Sequence, residues 1–157
     1  MTKEEKQLLL KDLCARLQYG VKLDFYSIAT NEHYVSILLG IEPNNDDKPI
    51  IAKVNDGAYT LGQDHIKPYL RPMSSMNSEE WVEYCDASLE DEKSWVWAGK
   101  EYKFTPVTHR EEFLNSHHFD YRGLIERGLA LEAPEDMYKH FGDMDVVVTS
   151  VEHKDKP

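Results

Sequence analysis

Between His117 and Tyr138 the chain reads HHFDYRGLIERGLALEAPEDMY, a run with little conformational freedom. Pro134 has a fixed φ and no backbone N–H, so no helix continues through it. Gly128 stands where a short helix would end on a left-handed residue. Asp120 is placed as an N-cap ahead of Leu124 and Ile125. The run therefore predicts a helix of about two turns closing at Gly128. An extended exit follows, with Leu129 and Leu131 on one face. Paired histidines, an aspartate, a tyrosine and an arginine open the stretch. They make His117, Asp120 and Arg122 the candidate catalytic residues, although they complete no known catalytic signature.

The rest of the chain supplies the elements that this run packs against. Thr2 and Glu5 have capping-box spacing, and Leu9, Leu10, Leu13, Cys14 and Leu17 recur with helical period. A helix is expected over residues 2–19, with Cys14 as a buried thiol and Gly20 as the stop. From Val21 the period becomes two, Val21, Leu23 and Phe25 alternating with Lys22, Asp24 and Tyr26. After a turn at Thr30, Asn31 and Glu32, Tyr34 to Ile41 reads as a second strand with Val35, Ile37 and Leu39 on one face. Glu42 to Pro49 is a loop by composition. Ile50 to Val54 and Ala58 to Leu61 form a third and fourth strand around an Asn55-Asp56-Gly57 hairpin. His65 and Ile66 begin a short fifth.

Pro68 and Pro72 predict irregular backbone over residues 67–76. Asn77 and Glu80 open a helix to about Leu89, its buried face made of Trp81, Val82, Cys85 and Leu89. Trp95 to Phe104 reads as a hairpin around Ala98-Gly99-Lys100, with a helix continuing through Trp97 as the competing reading. Thr108 and Glu111 start a further helix with Phe113 and Leu114 inside, and Asp145 to Val151 is a terminal strand. The expected fold is α+β in a single domain, residues 1–72 forming a helix plus sheet and residues 73–157 packing on them. An N-terminal helix leads into a small bent antiparallel sheet or half-open barrel, followed by short helices and a hairpin.

Charge narrows the function classes. Eighteen Lys and Arg against twenty-nine Asp and Glu leave a net charge of −11. Such a field repels nucleic-acid phosphates and anionic lipid, so direct nucleic-acid binding is not expected. The longest apolar stretch, Tyr34 to Ile41, is far short of a membrane span. The first residues lack the apolar core of a signal peptide, and Cys14 and Cys85 share no CxxC spacing. The expected location is the cytoplasm, with no membrane partner.

Three blocks, KEEKQLLLKDLCARLQYGVK, IKPYLRPMSSM and HHFDYRGLIERGLALEAP, together resemble a family of small uncharacterised proteins of gut anaerobes and their prophages or other mobile elements. The shared blocks cover roughly a third of the chain. The resemblance implies a cytoplasmic accessory protein and carries over no catalytic residues.

Each chemical cluster has a plain structural alternative. His109 and Glu112 at helical spacing, with His117, His118 and Asp120, are the only group with metal-ligand chemistry. Adjacent histidines point apart and His117 lies off the His109–Glu112 face, so no metal and no cofactor is expected. Asp120 with Arg122 suits a small carboxylate–guanidinium site, or an N-cap beside a surface arginine. In Lys67 to Pro72, Tyr69 and Arg71 belong either to a polyproline-like docking peptide or to a stiff connector. Between Met73 and Glu92 lie seven carboxylates, Glu83, Asp86 and Glu90 among them, and no lysine or arginine. They read as a binding surface mimicking nucleic acid, or as a solvated helix face. No Gly-rich phosphate loop, GxSxG or HExxH is present. The leading expectation is a non-enzymatic module acting on another protein, borne by a mobile element. An acidic decoy for a DNA-binding protein comes second, and a small enzyme using the His117/Asp120 neighbourhood third.

Overall fold

The computed structural model describes residues 1–42, 51–54, 60–98 and 108–139. Helix α1 (Lys3–Arg16) starts at the expected capping box. The Thr2 hydroxyl accepts from the Glu5 N–H at 3.2 Å, and the Glu5 carboxylate accepts from the Thr2 N–H at 2.7 Å. A single 3-10 turn and Gly20, at φ +66°, end the helix. Its inward seam is Leu9, Asp12, Leu13 and Arg16. Cys14 is exposed, contrary to the expected buried thiol. Asp12 and Arg16, one turn apart, occupy the inner face beside Leu13, and that rotation turns Cys14 to solvent.

Six strands follow: β1 (Lys22–Ser27), β2 (Glu32–Glu42), β3 (Ile51–Val54), β4 (Thr60–Leu61), β5 (Ile66–Leu70) and β6 (Leu131–Glu132). They lie side by side in the order β4-β3-β2-β1-β5-β6. The sheet is open and mixed, because β6 joins β5 in parallel while the other pairs are antiparallel. The predicted hairpin turn at 55–57 lies outside the described residues.

On β1 the alternation places Leu23 and Phe25 inside, as the period predicts. On β2 the inner face belongs to Ser36 and Leu38, while Val35 and Leu39 are exposed. Leu23 pairs with Ser36 and Phe25 with Tyr34. Directly opposed residues share a face, so register, not apolar count, decides which set is buried. Leu9 and Leu13 of α1 join Val21, Leu23, Phe25, Leu38, Ile66 and Leu70 in one core cluster, which Leu124, Leu129 and Ala130 complete.

Irregular backbone was expected at Pro68, yet β5 runs through it between β1 and β6. The next rung beyond Leu23–Pro68 would link the Lys22 N–H to the Tyr69 carbonyl. The Tyr138 hydroxyl stands between them, accepting from Lys22 at 3.1 Å and donating to Tyr69 at 2.8 Å. With Lys22 and Tyr69 facing each other, Leu23 and Pro68 form the pair without mutual hydrogen bonds. The missing proline N–H thus points away from β1, towards β6, which pairs only from Tyr69 onward. No rung is lost, and that is why the strand tolerates the proline.

Helix α2 (Ser78–Ala98) continues through Trp95 and Trp97, so the hairpin reading fails there. Residues 99–107, and the predicted strand at 145–151, lie outside the described residues. Trp81, Val82 and Leu89, the expected buried face, are exposed at 55%, 57% and 52%. The helix is held by other residues. Arg71 grips Glu80 with two bonds of 2.7 and 2.9 Å, and Tyr84 packs on Phe113 of α3 (His109–Ser116). After α3, Asp120 accepts from the N–H groups of Leu124 and Ile125, so it closes a turn and does not cap a helix as its position had suggested. Residues 121–128 are turns and not a two-turn helix, because Gly123 adopts φ +71° and breaks the helical path. Gly128, at φ +70°, is the left-handed residue that was expected.

Candidate functional site

The C-terminus of α3 is closed by a pair of bonds, Phe119 N–H to the Leu114 carbonyl at 2.9 Å and His118 N–H to the Asn115 carbonyl at 3.1 Å. This is a Schellman arrangement, with His118 at its left-handed position, φ +60°. Gly128 fills the equivalent place in the following turns, where Leu129 bonds Leu124 and Gly128 bonds Ile125. Arg16 braces the first motif from α1. Its guanidinium donates to the Phe119 carbonyl at 2.7 Å and to both oxygens of Asp12, at 2.8 and 3.0 Å. Arg122 adds a second cation on Asp12 at 2.8 Å.

The three candidate catalytic residues therefore part company. Asp120 is buried and faces backbone N–H groups. Arg122 belongs to the Asp12 network and lies over the Tyr121 ring. His117 is half-buried against Phe113, its Nδ1 within 3.0 Å of the Phe113 carbonyl and 3.2 Å of the Ser116 hydroxyl. His109 and Glu112 are exposed, and no group of three His, Cys, Asp or Glu among the described residues is arranged to hold a metal ion.

What these elements do enclose is a cleft of about 840 Å³ between the end of α3, the segment that leads from β5 into the first turn of α2, and residues 132–139. Arg71, Asn77 and Glu80 form one wall, and Tyr19, His118 and Tyr138 line it as well. Burial pushes the Glu80 carboxyl up, but the Arg71 guanidinium and the Asn77 N–H outweigh it and hold the group below the usual carboxylate range. His118 is 3% exposed and stacks on Tyr138 at 3.9 Å between ring centroids. Burial, reinforced by the nearby charges of Arg16 and His117, drives its imidazole down to about 3, so the ring is neutral. Burial raises Tyr138 to about 12, which keeps its bridging hydroxyl protonated.

The second candidate surface is the outer side of α2. Trp81, Val82 and Leu89 form one stripe by helical spacing, flanked by exposed Glu79, Glu83 and Asp86. The side chain of Glu90 is outside the described residues. Of the predicted connector residues, Tyr69 lends its carbonyl to Tyr138, and Arg71 is occupied by Glu80 and stacked on Phe119 at 4.3 Å. Sequence reasoning missed Asp12, Arg16, Tyr19 and Tyr138, since polar residues on an apolar helix face and a lone tyrosine after a proline carry no motif. No described helix is long and apolar enough to cross a membrane. Comparison of the chain with protein-family models, with curated proteins and with solved structures gave no match.

Proposed function

We propose that the chain is a protein-interaction module whose docking face is the outer stripe of α2. The observation that carries this reading is the exposure of Trp81, Val82 and Leu89 on one helix face. Large apolar side chains gathered on one side, and not scattered singly, mark an interaction surface. Tryptophan is also the residue type most often found at interface hot spots. The acidic flank of Glu79, Glu83 and Asp86 selects the partner's chemistry: an amphipathic segment with apolar anchors and basic neighbours. Its like charges also disfavour pairing of α2 with a second copy of itself.

The test is parallel capture from cell lysate with wild type, Val82→Glu, Leu89→Glu and a Val35→Glu control on the open sheet face. The reading expects a protein held by wild type and by the control, and released by both α2 variants. Retention by all of them would remove α2 from the account. The acidic decoy makes a different forecast. The triple change Glu83→Gln, Asp86→Asn and Glu90→Gln would abolish capture, and binding would fall steeply with salt, while Leu89→Glu would leave it intact.

A further inference from the structure

We propose that the cleft beside α2 receives an arginine side chain of the partner segment that docks on the α2 stripe. The inference rests on that docking reading and adds a chemical feature of the partner. Three observations lead to it, and the first is charge. Arg71, Lys139, Glu80, Glu132 and Glu135 carry the charge of the lining. Arg71 is fully engaged: its guanidinium holds both Glu80 oxygens and the Ser75 carbonyl and lies 4.3 Å over the Phe119 ring. Lys139 sits between two carboxylates, Glu135 at 3.2 Å and Asp136 at 3.0 Å. Glu132 is exposed, and its carboxylate has no cation or hydrogen-bond donor among the described residues. An anion entering the cleft meets cations already matched, whereas a cation meets a carboxylate that is not.

The second is the character of the walls. The cleft, about 840 Å³, has room for a long side chain and the backbone that carries it. Half-buried Tyr19 and the rings of Pro72 and Pro134 line it. A guanidinium is planar and weakly hydrated, so it stacks on such faces while its edge pairs with a carboxylate. An ammonium group is more strongly hydrated and has no flat face to offer. The chain uses this arrangement twice within itself. Arg71 lies on Phe119 with its edge on Glu80, and Arg122 lies on Tyr121 with its end on Asp12.

The third is continuity with the docking stripe. Asn77 and Glu80, which bond each other reciprocally at the start of α2, line the cleft. Trp81, the first anchor of the stripe, lies one turn beyond Asn77, and its N–H donates to the Asn77 carbonyl at 2.9 Å. Residues four apart share a helix face, and one turn advances about 5.4 Å, less than an extended arginine side chain spans. A segment lying on Leu89, Val82 and Trp81 therefore has its next side chains at the mouth of the cleft.

The experiment titrates N-acetyl-arginine amide into the isotopically labelled full chain and follows its proton–nitrogen spectrum. N-acetyl-citrulline amide serves as the uncharged isostere, and free arginine as a small-molecule source of the same net charge. The expected result is saturable shifts at Tyr19, Glu132 and the Asn77 side-chain amide, with a Kd of about 1–10 mM for the blocked arginine. Citrulline should bind more weakly and free arginine no more tightly. Glu132→Gln, at an exposed position, should weaken the blocked arginine, and the partner that wild type captures, by about two- to fivefold. Leu89→Glu should leave arginine binding unchanged, so loss of α2 docking with arginine binding retained would refute the docking reading alone. No saturable shift below about 20 mM, equal binding of citrulline, or shifts confined to Glu79, Glu83 and Asp86 would each overturn the proposal. So would tighter binding of free arginine, or affinities unchanged by Glu132→Gln.

Discussion

Replacing Asp12 with asparagine should be among the most damaging changes the described chain offers. Its carboxylate is fully buried and accepts three charge-assisted bonds, from Arg16 Nε at 2.8 Å, Arg16 Nη2 at 3.0 Å and Arg122 Nη1 at 2.8 Å. Arg16 is equally buried. Asparagine keeps the shape, but it removes the charge and turns an N–H₂ group towards guanidinium donors. Two cations are left without a counterion, one of them with no access to water. Removing one partner of a buried pair in this way costs about 3–5 kcal/mol, although the intact network need not be more stable than an apolar replacement of the same volume. A domain of this size has about 5–15 kcal/mol in total, so the variant approaches the limit of folding. Urea denaturation followed by circular dichroism would show it. With a slope of about 2 kcal/mol per molar, the midpoint should fall by about 2 M. Arg122→Gln, which leaves the Asp12–Arg16 pair intact, should lose far less. If Asp12→Asn costs no more than a surface substitution, about 0.5 kcal/mol or less, the network is not what joins α1 to the end of α3.

Other predictions follow from single contacts. Leu13→Ala, at a fully buried position on α1, should lower stability by about 2–5 kcal/mol, and a melt unchanged from wild type would make α1 peripheral. Tyr138→Phe removes the hydroxyl bridging Lys22 and Tyr69 and should cost about 1–3 kcal/mol by denaturant titration; no loss would mean the strands close up directly. His118 has its folded value depressed from 6.5 to about 3, so below pH 6.5 the unfolded chain binds a proton that the folded chain refuses. Its contribution is therefore complete above that pH and declines on acidification at about 1.4 kcal/mol per pH unit until pH 3 is reached. Stability of wild type and His118→Gly, measured from pH 7 to 5, should converge as pH falls, and parallel curves would contradict the burial of a neutral ring.

Local signals in the chain were the dependable ones. Thr2 with Glu5, Asn77 with Glu80, and the left-handed Gly20 and Gly128 all act through neighbours within five residues, and all appear in the structure, while Asp120 bonds the N–H groups expected near it but in turns and not at a helix start. Faces were harder to read. Val35 and Leu39 on β2, like Trp81, Val82 and Leu89 on α2, are apolar at the right period but lie outward. Period identifies a face, while cross-strand register and the Arg71–Glu80 clasp decide where it points. The strand through Pro68 was hidden for a related reason. Whether a proline interrupts a sheet depends on which way its nitrogen points, and that is set by a partner strand some 45 residues earlier, in the pairing of Pro68 with Leu23. The cleft was half legible. His117 and Arg71 were candidates from the sequence, but Glu132, which carries its unmatched charge, was not, and Tyr19 and Tyr138 come from opposite ends of the chain.

The central claim, that the outer stripe of α2 is a docking face, is tested most directly by titrating the captured partner against wild type, Trp81→Ala and Val35→Ala at low and moderate salt. The account predicts that Trp81→Ala weakens binding by about thirtyfold, the effect of a 2 kcal/mol hot spot, that Val35→Ala changes nothing, and that salt weakens binding only moderately. Equal affinities for wild type and Trp81→Ala would contradict it.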